Sequence, residues 1–248
     1  PSRFYRLSLE NHSFYQIATD GGALNEPIEV NELLLTPGQR AEVLIKGDKE
    51  PRQYRLLNLP YDRGGMGMMG GGMMNGRGMM GGGMMGRNNR DEPTVIATID
   101  YEDQGQSLSI PTKLASIFSL PEPQTVRRFE LNHGMNPSVG MAFLINGEAY
   151  NHARLDTQVQ LDTVEDWEIT NTGMMDHPFH VHNNAFQVIS RNSQPESLLA
   201  WRDTVLVPRG ETVRIRIPFR DFAGKTVYHC HILDHEDLGM MGNLMINT

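Results

Sequence analysis

Apolar positions along the chain fall into short runs of about strand length, each closed by turn residues. Over residues 1–62 these runs are FYRLSLE, FYQIATD, EVNELLL, RAEVLIK and QYRLLNL. Asp20-Gly21-Gly22, Pro37-Gly38 and Lys46-Gly47-Asp48 separate them, as turn-forming residues do. VIATIDY closes a first β unit over residues 1–102. Residues 103–125 carry Pro111, Pro121 and Pro123 and read as a linker, within which LASIF predicts one helical turn. From Val126 the pattern resumes in RRFELNH, GMAFLING, DTQVQLDT, DWEITNT, FQVISRN, DTVLVPR, TVRIRIPF, KTVYHCH and GNLMINT. Residues 126–248 thus form a second β unit. The prediction is an all-β protein, each unit a Greek-key sandwich or barrel.

Composition narrows the class. A chain of 248 residues has room for one large or two ordinary domains and can bury a sizeable core. A formal charge of −8 argues against nucleic acid as a partner and suits a soluble protein that tolerates cationic ligands. No apolar run approaches a membrane span. No export signal is visible, so any such signal is expected to have been removed or to lie upstream. The single cysteine excludes an internal disulfide; with matched histidines it reads as a metal or catalytic site.

Residues 64–86 depart from the β pattern. Nine of the sixteen methionines fall here, and nearly all the rest is glycine. Glycine is too costly in entropy for a regular core element. Thioethers prefer Cu(I) to harder ions, so the Met-Met pairs predict a Cu(I)-collecting loop. A protein-docking surface and a plain insertion are the alternatives.

The densest chemistry lies in VYHCHILDHEDLGMMGNL, residues 227–244. Cys230 is flanked by His229 and His231; His235 follows after five residues and Met240 after ten. Thiolate, imidazole and thioether are blue-copper ligands, and such a site takes a second histidine. The cluster HPFHVH, with His177, His180 and His182, is its source. Successive side chains on a strand point to opposite faces, so Cys230 reaches one way and His229 and His231 the other. His180 and His182 share a face at i, i+2, while Pro178 bends the chain after His177. His177 then joins Cys230, and His180 and His182 join His229 and His231. Two metal sites would sit on opposite sides of one strand, joined by a short covalent path through adjacent residues whose Cα atoms lie about 3.8 Å apart. His12, His133 and His152 stand alone in the sequence and read as ordinary surface or core residues.

Three motifs, MMDHPFHVH (174–182), WRDT (201–204) and HCHILDHEDLGMM (229–241), resemble the multicopper oxidases, in their bacterial laccase and cuprous-oxidase branch. The resemblance implies cupredoxin domains, a type 1 copper on His177, Cys230, His235 and Met240, and a trinuclear cluster reducing O2 to water. His180 would bind the type 2 copper, and His182, His229 and His231 the binuclear type 3 pair. Glu236 matches a proton-relaying acidic position, its alternative being a solvated pair with Asp237. Met175 and Asp176 would place incoming Cu(I) beside the site, or simply pack the loop. Asp203 is an acceptor for a type 1 histidine, or simply a turn or salt-bridge residue. Gly173 stands where other members carry an acidic residue.

The family's trinuclear cluster uses eight histidines, half from His-X-His pairs in an N-terminal domain, and no such pair occurs here before His180. The resemblance also places residues 1–102 inside a middle cupredoxin domain, which makes this unit partial and the second complete. A missing N-terminal segment is therefore expected to complete the cluster and cover the open sheet edge. The expected substrates are O2 and a reductant, Cu(I) being favoured over phenols and aromatic amines. By the same resemblance the location is periplasmic or secreted. A non-catalytic copper carrier and a copper nitrite reductase are the rivals; the second needs only one histidine beside its cysteine.

Overall fold

The structure is a computed structural model that describes residues 2–65, 92–103, 108–136 and 140–248. The methionine- and glycine-rich stretch beyond Gly65 lies outside these residues.

The first β unit holds β1 (Tyr5–Leu9), β2 (Phe14–Thr19), β3 (Gly22–Val30), β4 (Leu33–Leu35), β5 (Ala41–Leu44), β6 (Gln53–Leu59) and β7 (Thr94–Asp100). Two sheets, ordered β4-β1-β6-β7 and β3-β2-β5, enclose a small core of Leu9, Phe14 and Tyr54. Asp20-Gly21 turns β2 into β3, with Thr19 opposite Gly22. The run EVNELLL is broken: its first residues end β3 and its leucines form β4, because each pairs with a different sheet.

The second unit holds β8 (Thr125–Asn136), β9 (Gly140–Ile145), β10 (Thr157–Gln160), β11 (Thr163–Asn171), β12 (His177–Val181), β13 (Phe186–Arg191), β14 (Gln194–Pro195), β15 (Trp201–Arg202), β16 (Thr204–Val207), β17 (Thr212–Phe219), β18 (Gly224–Cys230), α1 (Leu233–Asp237) and β19 (Met241–Asn247). One sheet runs β10-β19-β18-β12-β16; the other runs β14-β13-β17-β11-β8-β9, with β15 beside β13. Their inward rows, such as Trp167 and Ile169, Ile215 and Ile217, Phe179 and Val181, meet in one fully buried core. Alternate residues on each strand supply that core, as the period of two requires.

Residues 114–118 form no helical turn. Their backbone donors are taken by another element: Leu114 N–H donates to Asn25 O (2.9 Å) and Ile117 N–H to Asn25 Oδ1 (2.6 Å). Buried Gln187 then grips the strap, accepting from Leu120 N–H and donating to Phe118 O. Arg216 finishes the clamp. Its Nε and Nη2 fork onto Asp166 at 2.7 and 3.1 Å, and Nη1 donates to Pro121 O at 3.0 Å.

Removing one member of a buried pair strands the other charge, at about 3–5 kcal/mol. Asp166→Ala should therefore lower the unfolding free energy, measured by denaturant titration, by that order. Glu122→Ala, which removes an exposed partner of the same arginine, should cost under about 1 kcal/mol. Equal effects would show that burial does not set the strength of this clamp.

Candidate metal centre

The antiparallel pairing of β12 with β18 sets Phe179 opposite Cys230, His180 opposite His229 and Val181 opposite Tyr228. With side chains alternating on both strands, this register sorts the histidines into two groups. On the core side, His177 Nδ1 lies 3.0 Å from His235 Nδ1, and Cys230 Sγ lies 3.5 and 3.6 Å from them. On the other side, His180, His182, His229 and His231 form a ring of imidazoles with adjacent centroids 4.8–5.3 Å apart.

The first group is closed by a tight turn after β18. Ile232 O accepts from His235 N–H and Glu236 N–H, which starts α1 and swings His235 back under Cys230. The Phe143 ring stacks on His235 at 3.8 Å. Gly239 leaves the helix with φ +114°, and a Cβ there would meet Ala149 Cβ at 2.9 Å, so only glycine fits. Met240 then returns, donating its N–H to His235 O and accepting from Cys230 N–H. Met240 and Cys230 are both fully buried.

Burial holds this group neutral. It pushes His177 down to about 3 and His235 to about 4, with neighbouring positive charge adding to the effect. It pushes the Cys230 thiol up to about 12. Two neutral imidazoles therefore face an un-ionised thiol, which a bound cation would deprotonate. The three atoms form a triangle the size of one ion's coordination shell, where metal–nitrogen distances are about 2.0 Å and metal–sulfur about 2.3 Å. The donor set fits a trigonal His2Cys copper site.

The second group is oriented from behind. His180 Nδ1 donates to Asp203 O (2.8 Å) and meets Thr204 Oγ1 (3.0 Å). His229 Nδ1 donates to Cys230 O at 2.9 Å and lies 3.2 Å from Glu236 Oε2. Burial keeps His229 near 4, so its ring is neutral, its Nδ1 proton goes to Cys230 O, and its closeness to Glu236 is not an ion pair. Burial also raises Glu236 above its usual range. With Nδ1 occupied, both rings turn Nε2 inward. His229 Nε2 and His182 Nε2 meet at 3.0 Å, so at least one carries a proton without a metal.

The first unit reaches this cluster. Thr36-Pro37-Gly38-Gln39 makes a turn closed by Gln39 N–H to Thr36 O at 3.0 Å, with Gly38 at φ +84° as a type II turn requires. A Cβ on Gly38 would lie 2.5 Å from the His231 ring. Arg40 forks onto Asp203 at 3.1 and 2.7 Å. Burial opposes the Asp203 charge, but contacts from His180, Arg40 and Thr204 outweigh it and hold the carboxyl well below the usual range.

Asp203 thus stands behind His180 and bonds to Arg40, rather than behind His177 or His235. Asp176 is buried and committed, accepting from Tyr61 Oη (2.7 Å) and Arg209 N–H (2.9 Å). Burial and this carboxylate raise Tyr61 above its usual range. Met175 is half-buried and bridged to Gly64, at the start of the methionine-rich stretch. His12 is a core residue between Tyr54 and Tyr101, and His152 is exposed. His133, by contrast, lies close to His177, with Gly173 between them. The inward row Phe129, Leu131, His133 on β8 was its signal.

A multicopper oxidase sequence profile matches residues 119–248, and another matches residues 2–76. The chain belongs to the multicopper oxidase family. It is 28% identical to "Multicopper oxidase mco" of Staphylococcus haemolyticus, over 100% of this chain and 46% of that protein. With a laccase of Bacillus subtilis it shares 27% identity, over 97% of this chain and 48% of that one. The solved multicopper oxidase of Campylobacter jejuni, a metallo-oxidase, superposes with a TM-score of 0.81 at 32% identity, covering 100% of this chain and 51% of that one. The chain spans about half the length of the curated relatives it matches.

In the metal-free protein, His177, His229 and His235 stay neutral when folded but take up protons near pH 6.5 when unfolded. The unfolded state then binds more protons, so stability falls as pH drops from about 6.5 towards 4. Thermal midpoints of the metal-free chain should fall over this window, and His177→Gln should make the fall shallower. An identical slope in His177→Gln would show that this imidazole titrates normally in the fold.

Proposed function

We propose that this chain carries the substrate-oxidising site of a copper oxidase together with four of the imidazoles at which O2 is reduced. The observation that supports this best is the position of Cys230. Its thiol completes the His177–His235 trio, while the side chains of its peptide neighbours, His229 and His231, join the second cluster. Copper, when bound, supplies one-electron redox chemistry at the first group and O2 reduction at the second.

The residues divide the work. His177 and His235 would hold the first copper through Nδ1, with Cys230 as the thiolate and Met240 as the thioether donor. His180 would hold the type 2 copper, and His182, His229 and His231 the type 3 pair. Glu236, beside His229 Nδ1, exchanges protons with the cluster; its raised affinity for a proton suits that task. Four more imidazoles come from polypeptide outside this sequence, in line with relatives about twice as long. The domain reading follows: a partial cupredoxin unit over 1–102, a linker over 103–125 and a complete unit over 126–248.

Cu(I) is the favoured reductant, ahead of phenols and aromatic amines. The methionine pairs of residues 64–86 support it, as does the metallo-oxidase activity named for the Campylobacter jejuni protein. Met175, bridged to the root of that stretch, lies where incoming Cu(I) would pass; Asp176 fixes this approach. An O2-dependent oxidase of this kind suits a periplasmic or secreted setting. Among the described residues no helix is long and apolar enough to cross a membrane.

Copper-loaded complete protein should be intensely blue. Cys230→Ser should abolish both the colour and O2 consumption; a blue Cys230→Ser protein would sink the assignment. Deleting residues 66–85 should depress Cu(I) oxidation while sparing oxidation of a bulky organic dye. Equal loss of both activities would count against a Cu(I)-collecting role.

A further inference from the structure

His133 lies outside both histidine motifs, yet β8 carries it to the side of His177. Two buried ring nitrogens, His133 Nδ1 and His177 Nε2, have no hydrogen-bond partner among the described residues. Both face the space over Gly173. A methyl group built there would lie 3.5 Å from His133 Nδ1, 3.6 Å from His177 Nε2 and 3.2 Å from Asn171 Oδ1.

The proton inventory of His177 gives this convergence a direction. Its Nδ1 points at Cys230 Sγ and His235 Nδ1, so as a ligand that nitrogen must offer its lone pair. A neutral imidazole has one N–H, which then sits on Nε2. A buried N–H without an acceptor is costly. Two acceptors are at hand. His133 Nδ1 is free, and Asn171 Oδ1 uses one lone pair on Gly173 N–H at 2.9 Å. Asn171 cannot swing away, because its Nδ2 donates to Met175 O and Val207 O. A single water in contact with three such atoms meets the polar requirement for a buried water site.

We propose that His133 is a positioning residue for His177, accepting its Nε2 proton through one water seated over Gly173 and shared with Asn171. This rests on the reading of His177 as a copper ligand. His133 touches neither metal nor substrate. It fixes the His177 tautomer and, by drawing on the Nε2 proton, makes Nδ1 a stronger donor. A stronger donor favours Cu(II), so loss of the acceptor should raise the reduction potential. Gly173 has an equal part, because any side chain there would fill the water's place.

The test uses the complete copper-loaded protein and reads the visible spectrum, the type 1 reduction potential and the copper affinity. His133→Leu should raise the potential and weaken copper binding by about 10–100-fold, as loss of such a partner does. His133→Gln, which keeps an acceptor, should stay near wild type. Gly173→Ala should raise the potential with His133 intact. Its methyl contacts of 3.2–3.6 Å need only small shifts, so it provides a second route if His133→Leu fails to fold. A blue wild type whose potential is unmoved in both His133→Leu and Gly173→Ala would overturn the proposal. So would a His133→Gln protein that moves as far as His133→Leu, since packing alone would then explain both. A wild type with no blue absorption would instead refute the copper reading itself.

Discussion

The register of β12 against β18 is the constraint on which the rest of the molecule depends. Side chains alternate with a period of two, so a slip of one residue would exchange every side chain between the faces. Cys230 would then lie among the outer imidazoles, and His229 in the apolar core. The sheet resists such a slip because the same strands bury Phe179, Val181, Tyr228 and Cys230 against Trp167 and Phe129. Core packing and site assembly are one requirement here.

Electrostatics follow from the same arrangement. The imidazoles with the strongest shifts are buried and held neutral, so their lone pairs are available near neutral pH. Acidic groups stand behind the outer cluster: Asp203, paired with Arg40, behind His180, and Glu236 beside His229. The site therefore presents donors without presenting charge, which favours a cation that supplies its own.

Much of this was legible in the sequence for physical reasons. Strand runs bounded by glycine and proline turns gave the β elements, and Pro37-Gly38 formed the turn it implied. The alternation around Cys230 gave two clusters on opposite faces. Features set by distant partners were not legible. LASIF lost its helical turn to the Asn25 side chain and backbone, and EVNELLL was split between two sheets. Asp203 went to His180 because β16 pairs with β12 at that point, Thr204 lying opposite His180. His133 looked isolated because sequence distance hides what β8 and β9 carry to His177.

The contact of Gly38 with His231 makes the outer imidazole cluster part of the interface between the two sandwiches. His231 is held by its own strand end, through N–H to Pro178 O at 2.7 Å, and by a turn of the other sandwich. Any ligand that selects this orientation of His231 stabilises the docked arrangement by the same free energy with which docking favours the ligand. The small sandwich, whose core cluster among the described residues centres on just Leu9, Phe14 and Tyr54, would then draw part of its resistance to unfolding from events at the cluster. Amide exchange in β2 and β5 becomes a remote gauge of occupancy at a site to which neither strand contributes a ligand.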